Sequence, residues 1–169
     1  MDRCVVALDK GRCTFRMGLD PAYKQNRPDP DPAIIVQFDL VRAFCRAYGM
    51  PLLESAGIEA DDLIATAAFR ASQKDWNVLV VSSDKDLGQI VNKRVHMYDP
   101  LKRRVLDPKG VHDLWGVPAP LIPHVQALSG DPSDGIPGLP GVGIKTALKW
   151  IQECGSLESV LDNPAQVAS

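Results

Sequence analysis

The chain has 169 residues, of which 45% are hydrophobic and 24% are charged, enough for one domain, or one domain with a small appendage, around a hydrophobic core. Its 19 Lys and Arg against 21 Asp and Glu give a net charge of −2, which by itself does not favour nucleic-acid binding. The four cysteines form no Cys-x-x-Cys pair, which argues against a zinc-finger or disulfide-framework protein and favours a reducing compartment.

The sequence also argues against membrane insertion and secretion. No apolar run approaches the roughly 20 residues that span a bilayer, and the first nine residues do not form a signal peptide. We therefore expect a protein that is neither secreted nor membrane-bound. A bacterial cytoplasm or nucleoid, or a eukaryotic organelle, fits this expectation.

The first part of the chain alternates short apolar runs with helical patterns. Residues 5–8 predict a buried strand that ends at Asp9, and residues 28–32 form a stiff, proline-rich connector. Apolar residues at helical spacing predict a helix over 33–48, with Pro32 in its first turn and Gly49 at its C-terminal cap. A second helix is predicted over residues 60–74. Strands are predicted over residues 51–54, 77–82, 94–98 and 103–106, the last two as candidates for a hairpin.

Strands that alternate with helices predict an α/β fold, with a parallel sheet flanked by helices. Ligands in such folds bind beyond the carboxyl ends of the strands. After residue 107 the chain changes to helical patterns and turns rich in Gly and Pro, with no strand signal. We therefore expect a core over residues 1–107 and a helical subdomain over residues 108–169.

Acidic residues collect where this fold places its ligand site. Taken singly, each acidic group is more often a helix cap or a solvated turn, but their joint position at strand ends and sharp turns favours a metal site. Carboxylates suit Mg²⁺ or Mn²⁺, and two such ions can promote phosphodiester hydrolysis. With these eight residues set aside, 13 acidic residues face 19 basic ones, and the remaining surface carries about +6. The eight are Asp9, Glu59, Asp61, Asp62, Asp84, Asp86, Asp131 and Asp134.

A glycine-rich turn over residues 138–143 precedes a predicted helix. A tight hairpin that opens a helix is typical of a helix-hairpin-helix, whose backbone N–H groups grip a DNA phosphate without reading bases. Lys145 and Lys149 would add positive charge. The alternative is an ordinary turn and helix start. A P-loop is excluded because the Gly-Lys-Ser/Thr ending is absent.

Five segments together resemble the 5′→3′ exonuclease family, which includes the N-terminal domain of bacterial DNA polymerase I and the flap endonucleases. They are residues 5–16, 23–28, 57–62, 83–86 and 130–138, and they occur in the family's order over nearly the whole chain. The resemblance implies a PIN-like fold followed by a helix-3-turn-helix, or helix-hairpin-helix, DNA-binding element.

The resemblance also implies roles for individual residues. Two Mg²⁺ ions, replaceable by Mn²⁺, would be held by Asp9, Glu59, Asp61 and Asp62 at the first site and by Asp84, Asp86, Asp131 and Asp134 at the second. Lys24 and Arg27 would act on the scissile phosphate, although composition alone would make them a solvated basic loop. A K⁺ ion often accompanies the hairpin in this family. The expected DNA contacts are Arg16, Tyr23, Gly138, Gly141, Gly143, Lys145 and Thr146.

The family's domain normally begins with a strand that carries a further ligand Asp, ahead of the segment that matches Val5, and it continues with more helices beyond the segment that ends at Ser169. We therefore expect exposed apolar sheet surface and unpaired strand edges, and a first metal site that lacks one carboxylate.

The leading hypothesis is a metal-dependent 5′ nuclease that acts on flaps, nicks or 5′ ends of DNA in replication and repair. The alternatives are a weakly active or inactive DNA-binding remnant of that family and a PIN-type ribonuclease. The helix-hairpin-helix argues against the ribonuclease, and the sequence does not identify a polymerase partner.

Overall fold

The computed structural model describes residues 3–11 and 15–167. They form two compact units. The first unit comprises the described residues up to Thr66 together with Ser133–Gly135, and the second comprises Ala67–Pro132 together with the described residues from Ile136 onward. Within the described residues, no helix has the length and apolar character needed to cross a membrane.

The first unit contains a short parallel strand pair. Its strands align Val6 with Leu52 and Ala7 with Leu53, which confirms the predicted parallel pairing. The short helix α1 was not among the predicted elements. In chain order the elements are β1 (Val6–Ala7), α1 (Phe15–Leu19), α2 (Pro32–Ala47), β2 (Leu52–Leu53) and the start of α3 (Ala60–Ser72).

Helix α2 begins and ends where its capping residues predict. The Asp31 carboxylate accepts the Ala33 N–H at 2.8 Å and Pro32 lies in the first turn, which satisfies one of the free N–H groups of the helix start. At the other end Gly49 adopts a φ of 67°. Only Cys45 of α2 is buried, so most of the apolar residues that predict this helix remain at least partly exposed.

The second unit holds a three-stranded sheet and most of the hydrophobic core. The sheet consists of β3 (Val78–Val81), β4 (Val95–Asp99) and β5 (Arg104–Leu106) in that order. Strands β3 and β4 are parallel, whereas β4 and β5 are antiparallel, so the candidate hairpin is confirmed. Two side chains of β3, Leu79 and Val81, are exposed, and β3 pairs only with β4 among the described strands.

Two short strands follow residue 107, where none was predicted. Strand β6 (Gly130–Asp131) pairs antiparallel with β7 (Ile136–Pro137). The prediction was wrong here because each strand has only two residues and neither forms the alternating apolar pattern that marks a strand.

The rest of the second unit is helical, as predicted. Helices α5 and α6 pack together, with Ile122, Val125 and Leu128 of α5 buried, as are Ala147 and Ile151 of α6. The helices are α4 (Pro108–Trp115), α5 (Ile122–Ser129), α6 (Ile144–Cys154), α7 (Leu157–Asp162) and α8 (Pro164–Val167), with 3₁₀ helices over Lys85–Ile90 and Ala119–Leu121.

Candidate metal and nucleic-acid site

Asp9 and Glu59 are brought together by the start of helix α3. Asp9 follows β1, and its carboxylate accepts the backbone N–H of Ala60 at 2.7 Å. Glu59 immediately precedes the same helix. An acidic side chain at a helix N-terminus is stabilised by the free N–H groups and the helix dipole, so the local structure alone favours carboxylates at this point.

Glu59 is a buried carboxylate surrounded by donors. It is 9% exposed. Tyr23 Oη donates to its two oxygens at 3.0 and 3.1 Å, and Lys24 Nζ donates at 2.7 Å. Arg16 Nη1 approaches at 3.4 Å. A buried carboxylate is costly unless it is paired and hydrogen-bonded, and these contacts supply both the charge and the hydrogen bonds.

Burial and the charges around Glu59 shift the pKa values of its neighbours Tyr23 and Lys24. Burial raises the pKa of Tyr23 to about 12, against a lowering by Lys24, so the phenol stays protonated and can donate. The pKa of Lys24 is raised because its hydrogen bonds with Glu59 and Tyr23 outweigh burial. Lys24 is therefore a fixed positive charge beside Glu59.

Asp62 lies in the first turn of α3 and is held by Arg16. The guanidinium donates from Nη1 and Nη2 to the two carboxylate oxygens at 2.7 and 2.8 Å. This two-armed contact lowers the pKa of Asp62, against a smaller opposing effect of burial. Asp61 is half-buried in the first turn of the same helix.

Asp134 also lies in the first unit, against the loop that carries the basic residues. Arg27 pairs with its carboxylate, Lys24 Nζ lies 3.9 Å from it, and Tyr23 Oη lies within 3.4 Å. The backbone N–H of Lys24 donates to the Asp134 carbonyl at 2.7 Å. The two residues proposed to act on phosphate therefore contact this acidic residue.

The second unit contains a separate acidic group at the end of β3. Asp84 caps the 3₁₀ helix by accepting the Asp86 N–H at 2.9 Å. Gln126 of α5 donates to Asp86 at 2.6 Å. Lys85 Nζ lies 4.0 Å from Asp86 and 3.8 Å from Asp131, which is buried.

Burial and acidic neighbours oppose the ionisation of Asp86. Burial and the nearby charges of Asp84 and Asp131 raise its pKa, whereas Lys85 and the Gln126 hydrogen bond lower it. Carboxylates that repel one another in this way are stabilised by a cation between them. Lys85 stands beside two of these ligand candidates and was not singled out from the sequence, although its place between two aspartates was a signal. Gln126 had no local signal, because it lies 40 residues from Asp86.

The predicted first metal group, Asp9, Glu59, Asp61 and Asp62, lies entirely in the first unit. The predicted second group is divided, since Asp84, Asp86 and Asp131 belong to the second unit and Asp134 to the first.

The donor chemistry of both groups fits a hard divalent ion, because oxygen ligands of this kind suit Mg²⁺ and Mn²⁺. The burial of Glu59 adds a requirement for nearby positive charge. Over residues 3–11 and 15–167, however, no three Asp, Glu, His or Cys side chains are grouped as a metal-binding set. In the first unit, basic side chains already engage Glu59, Asp62 and Asp134, so an ion that binds them must rearrange these pairs.

A pocket of about 310 Å³ opens within the first unit. Glu59, Tyr23, Lys24 and Arg27 line it together with Asp9. Its volume is at the lower end of the range for ligand sites. The pocket places two basic groups beside carboxylates, the combination that a phosphate ester and its metal ion require.

The predicted DNA-binding hairpin contains glycines of two kinds. A Cβ on Gly138 would lie 2.5 Å from the Gly130 backbone N–H nitrogen, so this glycine is required by the close approach of β6 and β7. Gly141, with a φ of 81°, and Gly143 have open surroundings. The first N–H groups of an α-helix lack intrahelical partners. At the start of α6 the N-cap is Gly143, which provides no side chain to accept from them.

The basic and hydroxyl residues at this helix start are accessible. Lys145 is exposed and Thr146 is half-buried. By contrast, the other two expected DNA contacts lie in the first unit and face its carboxylates: Tyr23 is 6% exposed and Arg16 is paired with Asp62. A base cannot stack on the ring of a side chain as buried as Tyr23, and this burial was not predictable from the sequence.

Relatives of this chain are nucleases and polymerases. The chain is 43% identical over 162 residues to DNA polymerase I of Rhizobium leguminosarum, a match that covers 96% of this chain and 16% of the relative. It is 40% identical over 160 residues to the 5′-3′ exonuclease of Aquifex aeolicus, covering 94% of this chain and 55% of the relative. The chain thus spans a small part of the polymerases and about half of the separate exonuclease.

Solved structures share the fold. The 5′-exonuclease of bacteriophage T5, described with bound zinc ions, matches 95% of this chain and 64% of its own with a TM-score of 0.83 and 23% identity. The T5 flap endonuclease in a pseudo-enzyme–product complex with DNA and metal ions matches 95% of this chain and 63% of its own with a TM-score of 0.82 and 23% identity.

The family models divide the chain into two consecutive parts. Residues 1–116 match the 5′-3′ exonuclease, N-terminal resolvase-like domain, and residues 117–169 match the 5′-3′ exonuclease, C-terminal SAM fold. Both matches confirm the expected fold class, an α/β part followed by a helical part. The carboxylates and basic side chains described above thus lie on the scaffold of a nuclease, and the chain belongs to the 5′-3′ exonuclease family.

Proposed function

We propose that this chain carries the catalytic part of a metal-dependent nuclease that hydrolyses DNA phosphodiesters at 5′ ends, nicks or 5′ flaps during replication and repair. The observation that supports this most is the group of Glu59, Asp62 and Asp134 with Arg16, Lys24 and Arg27 in the first unit. Such a mixture of acidic and basic groups suits a phosphate ester together with its metal ion.

The metal ligands are proposed from the family pattern. Asp9, Glu59, Asp61 and Asp62 would hold one Mg²⁺, and Asp84, Asp86, Asp131 and Asp134 a second, with Mn²⁺ as a substitute. When bound, such ions supply an activated water and neutralise charge on the leaving oxygen. The zinc and metal ions of the T5 relatives support a divalent ion as cofactor.

The basic residues have a direct role in this proposal. Lys24 and Arg27 border the pocket beside Glu59, where their charges would neutralise the negative charge that develops on the phosphate. Their present partners, Glu59 and Asp134, hold them at this position. Tyr23 keeps Glu59 oriented through its hydroxyl.

DNA binding is proposed for the region around α6. The free N–H groups at its start would grip a backbone phosphate, with Gly141, Gly143, Lys145 and Thr146 around them, and a K⁺ ion at the hairpin would assist. The DNA in the T5 flap endonuclease complex supports a nucleic-acid substrate. We keep residues 1–107 as the proposed nuclease core and residues 108–169 as the proposed DNA-binding part.

A second candidate is a DNA-binding remnant with weak activity or none. It is favoured by the basic partners of Glu59 and Asp62, because a carboxylate that stays paired with a side chain does not coordinate a metal ion fully. The two candidates differ in metal-dependent cleavage and agree in DNA binding.

Cleavage of a 5′-labelled flap DNA in Mg²⁺ tests the proposal. We expect cutting that EDTA abolishes and that the Asp84→Ala/Asp86→Ala variant reduces at least about a hundredfold. The matched control is Asp113→Ala, since Asp113 is an exposed acid paired with Lys109 at 2.7 Å on α4. Its activity should stay within about twofold of the parent, as exposed pairs contribute little.

The outcomes separate the two candidates. Cutting that the double variant retains would contradict the assigned ligands. A folded protein that binds duplex DNA without cutting would instead favour the remnant.

A further inference from the structure

Arg16 makes a two-armed ion pair in the first unit. It lies in α1, and both arms of its guanidinium contact Asp62, at 2.7 and 2.8 Å. The same side chain reaches Glu59 at 3.4 Å. Its charged group thus links one carboxylate just before α3 and one in the first turn of α3, 43 and 46 residues away in the chain.

This contact uses the atoms that a metal ion would need. A two-armed arginine pair engages both oxygens of a carboxylate, and Asp62 is engaged in this way. Glu59 is shared between Arg16 and Lys24. A divalent ion that binds the same oxygens must displace at least part of these contacts. A guanidinium that stays in place must weaken the binding of the ion.

We propose that Arg16 is a positioning residue and an exchangeable counter-ion for Glu59 and Asp62. It holds the two carboxylates together before a divalent ion binds, and it competes with that ion for their oxygens. The inference rests on the proposed function, since it takes these carboxylates as metal ligands. It assigns Arg16 a role on the protein's own carboxylates, where the family resemblance implied a contact with DNA.

The chain offers a matched control for this role. Arg42 of α2 also makes two acidic contacts in the first unit, with Glu54 at 2.8 Å and Asp39 at 2.9 Å. Its side chain is 23% exposed and that of Arg16 is 32% exposed. Neither Glu54 nor Asp39 is a proposed metal ligand. The two arginines therefore differ in whether their acidic partners are expected to bind the ion.

Mn²⁺ titration followed by electron paramagnetic resonance measures the competition directly. We expect Arg16→Gln to bind Mn²⁺ roughly threefold to tenfold more tightly than the parent, the equilibrium equivalent of losing a half-buried ion pair. Its melting temperature in EDTA should fall. Arg42→Gln should also melt earlier, but with unchanged Mn²⁺ affinity.

Two further variants complete the test. In an Asp62→Asn background, Arg16→Gln should give a smaller gain in Mn²⁺ affinity than it gives in the parent, because the two-armed contact is gone and only the longer contact with Glu59 remains. Arg16→Lys keeps the charge but loses the two-armed contact, so its Mn²⁺ affinity should lie between those of the parent and Arg16→Gln. If circular dichroism shows that Arg16→Gln is unfolded, Arg16→Lys carries the comparison.

The outcomes are distinguishable. Mn²⁺ affinity that is unchanged or weaker in a folded Arg16 variant would overturn the inference and leave the proposed nuclease intact. A parent protein that binds no Mn²⁺ would overturn the metal site of the proposed function and the inference with it.

Discussion

Two glycines of the β6–β7 hairpin are required by space, whereas a third nearby is not. A Cβ on Gly130, which has a φ of 71°, would lie 2.6 Å from the Ile136 carbonyl oxygen, and one on Gly138 would lie 2.5 Å from the Gly130 nitrogen. We expect Gly130→Ala and Gly138→Ala each to lower the free energy of unfolding by at least about 2 kcal/mol. Urea denaturation measures this loss.

Gly143→Ala is the control for the hairpin glycines. Gly143 has a φ of −89°, and a Cβ there would meet nothing within 4 Å. The free energy of unfolding should change by less than about 1 kcal/mol. Equal losses in all three variants would show that the hairpin is not as tightly packed as the distances indicate.

Asp99 is a buried carboxylate whose negative charge is stabilised by hydrogen bonds from the turn after β4. Burial opposes its ionisation, but hydrogen bonds from Lys102 N, Ser83 Oγ and Leu101 N outweigh it and hold the pKa of Asp99 below its ordinary value of 3.8. The three distances are 3.1, 3.2 and 3.1 Å.

The lowered pKa of Asp99 predicts a pH-dependent stability. The folded state keeps the carboxylate charged at a pH where the unfolded state takes up a proton, so the stabilisation is complete above the unfolded pKa and is lost as the pH falls through the folded pKa. Asp99→Ala should therefore lower the melting temperature near neutral pH, and its difference from the parent should shrink on acidification below pH 3.8. A difference that stays constant from pH 7 to pH 3 would argue against this account.

At the scale of elements, helix α6 supplies the proposed contact with DNA. Lys145 is exposed in its first turn, where a basic side chain and free backbone N–H groups can bind the same phosphate. Lys145→Ala should weaken binding to duplex DNA similarly for all sequences and reduce the slope of log affinity against log salt concentration by about 1. Fluorescence anisotropy at several salt concentrations measures both effects.

The control for Lys145 is Lys109→Ala on α4. Lys109 is an exposed lysine paired with Asp113 at 2.7 Å and is not among the residues proposed to bind phosphate at the start of α6. We expect no change in its salt slope. An equal loss in both variants would indicate general attraction of DNA to positive charge and would remove the special role of α6.

Elements with strong local signals were predictable from the sequence. Helix α2 begins after the capping Asp31 and ends before Gly49, because capping depends on residues adjacent in the chain. Strand β3 was predictable from a continuous apolar run. Helix α1 and strands β6 and β7 were not, since each is short and depends on contacts outside its own segment.

At the level of the whole molecule, the alternation of strands and helices was predictable from the chain, because backbone preferences and hydrophobic periods act over a few residues. The family was indicated by the resemblance of five segments to its motifs, and these include acidic residues at the ends of predicted strands. The candidate site was therefore predictable as a set of residue types, although its division between two compact units was not.

The partners of the individual carboxylates were not predictable from the sequence. Arg16 meets Asp62 across 46 residues, and Lys24 meets Glu59 across 35. Tyr23 is buried and donates to Glu59, and Gly138 is required because two backbones meet there. Such pairings depend on which distant segments pack together. Burial and hydrogen bonding determine this packing once long loops have closed, and no local pattern in the chain encodes it.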